Sequence, residues 1–132
     1  MSDQENLQHQ QNQQTVEQLW HSFDAFDFEA AGHLLSDDFV CEWPQSRERI
    51  RGRENFVAVN ANYPGRWRIT IERIVACGNT VVTDVSLVSG DETARAVSFF
   101  ELRDGKIVKE TDYWPEPYAA PESRAQWVEP MA

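Results

Sequence analysis

Two carboxylates set in otherwise apolar strand sequence carry the strongest chemical signal in this chain. Asp84 lies in Val81-Val82-Thr83-Asp84-Val85, and Asp112 lies in Thr111-Asp112-Tyr113-Trp114. Alternate side chains of an extended strand share a face, so Val82, Asp84, Ser86 and Val88 go together, as do Val108, Glu110, Asp112 and Trp114. A charge among valines and aromatics is costly unless it is paired or faces a wet cavity. Two carboxyls sharing one apolar pocket split their proton affinities, one holding a proton as acid while the other stays ionised as base. Such a pair suits proton abstraction, or activation of water against a small substrate. Asp112 and Asp84 are therefore the expected catalytic residues. The competing reading is that each pairs with an arginine, Arg73 or Arg95 for Asp84, and simply holds the sheet.

The aromatic residues are the second signal. Trp20, Phe23, Trp43, Phe56, Tyr63, Trp67, Phe99 and Trp114 are too many to lie on a surface, so most belong to a core. Those beside pocket-forming segments should line its mouth, and the amphipathic indoles of Trp20, Trp43 and Trp114 suit that place best. The expected substrate-binding set is Trp20, Phe23, Trp43, Phe56, Tyr63, Phe99, Glu110 and Trp114. Cys41 and Cys77 stand in apolar contexts and read as two reduced thiols. His9, His21 and His33 fit no HxH or HExxH spacing, and no CxxC exists. No metal site and no organic cofactor are expected.

The elements that must position these groups are legible from periodicity. Val16, Leu19, Trp20, Phe23 and Phe26 recur at helical spacing. Thr15 is placed to cap that helix, with Gln18 as its capping-box partner. Residues 1–14 hold six glutamines and one large apolar residue, Leu7, and read as a flexible polar tail, the alternative being that the helix extends backward as a solvated stretch. Phe28, Ala31, Leu34 and Leu35 suggest a second short helix, and Phe39 to Trp43 a strand stopped by Pro44. Arg47, Arg49, Arg51 and Arg53 alternate along an exposed, solvated face. Phe56, Val59, Asn60 and Tyr63 give a third helical stripe, ended by Pro64-Gly65. Four long strands follow, at about 67–76, 80–89, 93–103 and 106–114, all rich in Val, Ile, Thr and aromatics. The turns Gly78-Asn79, Gly90-Asp91 and Asp104-Gly105 are too short for parallel crossovers, so this part of the sheet should be antiparallel. Four of the six prolines lie after Trp114, making residues 115–132 an irregular tail in which Tyr118 and Trp127 are available to pin it to the body or to a second subunit.

The chain has 132 residues, enough for one domain with a core of its own, here expected over residues 15–114. Helices followed by a long meander make an α+β arrangement in which a curved, mostly antiparallel sheet forms a cone around the N-terminal helices. The inside of such a cone is a natural small-molecule site. The net charge of −10 disfavours nucleic acid and anionic lipid as partners. The opening residues lack the basic and apolar regions of a signal peptide, so a cytoplasmic location is expected.

In this order, several segments resemble the SnoaL-like branch of the nuclear transport factor 2-like superfamily. Val16-Glu17-Gln18-Leu19-Trp20 through Phe26-Asp27-Phe28-Glu29-Ala30-Ala31 is similar to the family's first helix and its step into the second. Leu34-Leu35-Ser36-Asp37-Asp38-Phe39-Val40 resembles the approach to the first strand, and Ile50-Arg51-Gly52-Arg53-Glu54-Asn55-Phe56 the opening of helix three. Phe100 to Ile107 with Thr111-Asp112-Tyr113-Trp114 resembles the closing hairpin. The resemblance implies a cystatin-like α+β barrel, a small, hydrophobic ligand and a homodimer formed through the outer sheet face. Arg68, Thr70, Glu72 and Arg73 make one strand polar enough for a wet interface. The superfamily hosts isomerases, hydrolases, cyclases and non-catalytic binders, so the fold leaves activity open. Enzymes of limonene epoxide hydrolase type use an Asp-Arg-Asp set, whose aspartates fall on Asp84 and Asp112 and whose arginine falls on Val82; Arg95, one strand away, is the candidate replacement. The ketosteroid isomerase base falls on Trp43, and its oxyanion-hole tyrosine near Leu19 or Trp20. Cofactor-independent acid/base chemistry is the leading expectation, with ligand binding alone or a protein-interaction module as alternatives.

Overall fold

A computed structural model describes residues 3–131. The first helix, α1 (Asp3–Asp24), buries Val16, Leu19, Trp20 and Phe23 along one stripe. Full burial of such side chains contributes roughly 1.5–3 kcal/mol each. The glutamine-rich segment expected as a flexible tail is, from Asp3 on, the first half of this helix. Straight-chain glutamine favours the helix, and side-chain contacts dock it. Asn12 is buried and donates to the Gly78 carbonyl at 3.1 Å, while the Gly78 N–H donates to His9 Nε2 at 2.7 Å. Thr15 accordingly sits inside the helix, donating to the Gln11 carbonyl, and caps nothing.

Asp24 ends α1 by accepting from Arg68 and from the Ile69 N–H at 2.8 Å. Asp27 then caps α2 (Phe28–His33) through the Ala30 N–H. The chain continues into β1 (Leu35–Trp43), β2 (Glu48–Arg51) and α3 (Arg53–Ala61). Gly52, at φ +88°, makes the step into α3 in a backbone region that favours glycine. Four long strands complete the sheet: β3 (Arg68–Cys77), β4 (Thr80–Ser89), β5 (Glu92–Arg103) and β6 (Lys106–Tyr113).

The six strands are ordered β2-β1-β6-β5-β4-β3. All neighbours are antiparallel except β1 and β6, which the intervening chain brings together parallel. The sheet is thus mixed, curved and unclosed, and the three helices fill its concave side. Trp20, Phe23, Phe39, Phe56 and Phe100 meet there edge to face or tilted, at centroid distances of 4.9–6.3 Å. No helix among the described residues is long and apolar enough to cross a membrane.

Candidate active site

Cross-strand register decides which polar groups face the helices. Asp112 on β6 lies opposite Ser98 on β5, and Ser98 lies opposite Thr83 on β4. Residues directly opposite one another share a face. Trp20 Nε1 on α1 donates to Thr83 Oγ1 at 3.1 Å, so this row is the concave one. Two residues back along β6, Glu110 faces the same way, flanked by Phe100 on β5 and Cys41 on β1.

These strands converge on Asp112, which is 2% exposed. Its Oδ1 accepts from Ser98 Oγ at 2.5 Å. Its Oδ2 accepts from Trp43 Nε1 at 2.9 Å and from Cys41 Sγ at 3.5 Å. Glu110, 1% exposed, places a carboxyl oxygen within 4.8 Å of one on Asp112, and its Oε1 has no partner among the described residues. Burial, then the adjacent Asp112 charge, push the Glu110 carboxyl well above its usual range. Glu110 is therefore the proton-holding member of the pair. Burial and the same carboxylates push the Cys41 thiol upward, keeping it an S–H donor.

Trp43 and Trp114 are the half-buried members of the cluster, edge to face at 6.4 Å. The Trp114 N–H donates to Gln45 Oε1, tying the end of β6 to the loop after β1. Replacing Trp43 with Phe keeps the aromatic volume and removes one donor to a buried carboxylate. The expected cost is about 1–3 kcal/mol of stability, read from urea unfolding.

Cys41, Glu110 and Asp112 offer three atoms within 4.8 Å of one another, a spacing a metal ion can use. Trp43, Ser98 and Cys41, however, aim hydrogens at both Asp112 oxygens. A donor shell suits a carboxylate sharing a proton, whereas a cation would have to displace it.

Asp84 is not brought to Asp112. It lies opposite Val97 and Arg73, in the row that faces away from the helices. There it accepts from Arg95 at 2.7 and 3.0 Å and from Arg73 at 3.2 and 3.0 Å. The Arg95 hydrogen bond leads in holding its carboxyl down, at about 2. The shared pocket expected for these two aspartates is corrected by strand parity: Thr83, not Asp84, points inward. Arg95 likewise serves Asp84 on the convex face and does not reach Asp112. A lowered carboxyl stabilises the fold fully above its unfolded value near 3.8 and loses that contribution as pH falls toward 2. Asp84→Asn is therefore expected to flatten the acid-side loss of stability, measured by urea unfolding at successive pH values.

The expected substrate-binding residues divide three ways. Trp20, Phe23 and Phe56 are core residues, and Glu110 joins them as a buried carboxyl. Trp43 and Trp114 stand at the Asp112 cluster. Tyr63 is exposed after α3, and Phe99 stands on the convex face against Tyr113, because Ser98 and Phe100 take the inward places on β5. Two surface depressions of about 310 and 320 Å³ flank the helices, one beside His21 and Asp27 and the other beside His33 and Arg53. Neither touches Asp112, and aromatic side chains pack the concave side of the sheet. Sequence reading missed Ser98 and the role of Cys41. The alternation Ala96, Ser98, Phe100 holds a small hydroxyl in an apolar row, which is the trace such a partner leaves.

Comparison with known proteins agrees with this architecture. A model of the SnoaL-like domain matches residues 16–110. A crystal structure of a candidate ketosteroid isomerase from Kribbella flavida DSM 17836 is 34% identical, with a TM-score of 0.90, covering 94% of this chain and 92% of that one. An NTF-2 like protein of unknown function from Burkholderia xenovorans LB400 is 35% identical, with a TM-score of 0.80, covering 93% and 97%. An LEH-like epoxide hydrolase of M. tuberculosis is 27% identical, with a TM-score of 0.70, covering 82% and 85%. No curated protein matches the chain at a comparable level. The family model over most of the domain and the Kribbella structure over nearly the whole chain place this protein in the SnoaL-like domain family, within the NTF2-like fold.

Proposed function

We propose that this protein performs cofactor-independent acid/base chemistry on a small, hydrophobic, cyclic molecule, with Asp112 as the proton acceptor and Glu110 as the proton reservoir behind it. One observation carries the reading: Asp112 takes three directed donors and stands beside Glu110, whose carboxyl burial pushes well above its usual range. Asp84 and Asp24, by contrast, are held by arginines. Asp112 is held instead by neutral side-chain donors, which fix the orientation of its carboxyl. Trp43 and Trp114 offer an apolar, aromatic approach to it. The relatives described as an isomerase and as an epoxide hydrolase both fall within proton-transfer chemistry. Asp84 takes the part of a staple between β3, β4 and β5.

The test is a panel of cyclic epoxides and cyclic ketones, scored for ring opening and for exchange of the α-hydrogen with deuterated solvent. Turnover lost in Asp112→Asn supports the proposal. Ligand-induced quenching of tryptophan fluorescence without turnover selects the second reading, binding alone.

A further inference from the structure

The Oδ2 oxygen of Asp112 is already occupied, accepting from Trp43 Nε1 and Cys41 Sγ together, and neither surface depression reaches it. A proton acceptor must stand within hydrogen-bond reach of the proton it takes. A ligand therefore meets this oxygen only where one of its donors leaves. Cys41 is fully buried, and its strand position is fixed by pairing with Ile50 on β2 and Glu110 on β6. Trp43 is half-buried and stands where the sheet lets go. Pairing of β1 with β6 ends at Glu42 and Thr111, whereas pairing of β1 with β2 continues to Trp43 and Glu48. Glu42 is also where the three strands are clamped, by Arg49 of β2 at 2.7 Å and Lys109 of β6 at 3.3 Å. Beyond the clamp, the hairpin tip at residues 43–48 is tied within itself. The Arg47 N–H donates to the Pro44 carbonyl at 3.2 Å, and the Ser46 hydroxyl donates to the Trp43 carbonyl at 3.4 Å. Pro44 to Glu48 are exposed, and the tip is joined to the far end of β6 by the bonds from Trp43 to Asp112 and from the Trp114 N–H to Gln45.

We propose that this tip is a gate over Asp112, hinged at Glu42 and latched by Gln45, and that the Trp43 indole holds the place of the ligand while the gate is shut. The purpose of the gate rests on the reading of Asp112 as a proton acceptor; its motion does not. Lifting the tip breaks the Trp43 and Gln45 bonds and leaves the β1–β2 ladder and the Glu42 clamp whole. Such a local opening lies far below global unfolding in free energy. The geometry of the closed form also describes what replaces the indole. Trp43 brings an N–H to Oδ2 and sets its ring edge to face with Trp114 at 6.4 Å. A ligand taking that place brings an acidic C–H, N–H or O–H to the same oxygen and an apolar ring of about indole size to Trp114. Trp43 is thus the residue that sets the shape of the ligand, and Gln45 the one that sets how often the site is open.

Cys41 reports the opening, because its buried thiol is bonded to the same oxygen as Trp43. Replacing the exposed Cys77 with Ser leaves Cys41 as the sole thiol of the full chain. Its rate of reaction with methyl methanethiosulfonate is then followed by mass spectrometry at urea concentrations below the unfolding transition. The expected result is labelling through an opening that urea barely accelerates, since lifting the tip exposes little surface. Gln45→Ala should speed labelling about three- to tenfold, the effect of one lost hydrogen bond. Trp43→Phe should speed it by about tenfold or more, because the bond lost there is to a charged group. Far-UV circular dichroism serves as the folding control for both variants. Labelling that climbs with urea as steeply as global unfolding overturns the proposal, since Cys41 is then reached only through the unfolded chain. So does labelling that Gln45→Ala leaves unchanged. No substrate enters this experiment, so a failed gate is read from the labelling alone and a failed role for Asp112 from the substrate panel alone.

Discussion

Glu110→Gln is expected to remove a loss of stability that sets in as pH rises above about 4.5, the ordinary value of a glutamate carboxyl. Glutamine is nearly isosteric with the protonated acid and keeps a donor toward Asp112. The two side chains differ in what happens as pH rises. In the unfolded chain Glu110 gives up its proton near its ordinary value of 4.5, whereas in the folded protein burial and Asp112 hold that proton to higher pH. Between those two values the folded state binds one more proton than the unfolded state, so stability falls as pH rises. For one proton the slope is about 1.4 kcal/mol per pH unit. Its sign is opposite to that of Asp84, whose contribution disappears on the acid side. Wild type should therefore be most stable between the two limbs, and Glu110→Gln should lack the alkaline one. Urea unfolding at pH 5, 6, 7 and 8 measures this directly. An unchanged slope in the variant would mean that Glu110 is ionised in the fold, with a partner that neutralises it, and the proton-reservoir role would then be withdrawn.

The sequence made the fold legible because its signals agreed across levels. Helical spacing from Val16 to Phe23, tight turns at Gly78, Gly90 and Gly105, and runs of Val, Ile and Thr all required helices followed by a meander. The parallel pairing of β1 with β6 could not be read this way, since it depends on where α3 and β3 carry the chain. Nor could the N-terminal half of α1, whose anchors Gln8, His9 and Asn12 meet the turn at Gly78 and Asn79, about 70 residues away in sequence. At the site, Asp112 was recognisable as a carboxylate among large aromatics. Asp84 looked the same from its neighbours, because β4 carries valine on both faces: Val81 and Val85 inward, Val82 and Val88 outward. Without alternation, nothing local reveals which row is concave. The two arginines that make Asp84 affordable outside are on β3 and β5, and their approach is a matter of register. Glu110 reads from the sequence as a ligand contact, and the structure sets it buried beside the carboxylate two residues further along the same strand.

That adjacency makes Asp112 the position where substitution should have the largest effect. Asp112→Ala leaves the Trp43 N–H, the Ser98 hydroxyl and the Cys41 thiol without their acceptor in a dry interior. The expected loss is about 3–5 kcal/mol, the range for removing the charged member of a buried polar cluster. That is a large part of the stability of a domain this size. Asp112→Asn separates stability from chemistry more cleanly. Its carbonyl oxygen can keep Trp43 and Cys41 while its NH₂ donates to the Ser98 hydroxyl, which rotates to accept, so the hydrogen bonds are largely kept and the charge is lost. The variant should fold, and any turnover found in the substrate panel should fall by about 10²–10⁴, the usual contribution of a positioned general base. Trp43→Phe gives the necessary contrast, because it loses one donor to the same oxygen and keeps the base. If it loses stability like Asp112→Asn but retains most turnover, Asp112 acts on the substrate itself. If the two variants lose turnover in step with their stability, the cluster only holds the strands together, and Asp112 has no separate chemical role.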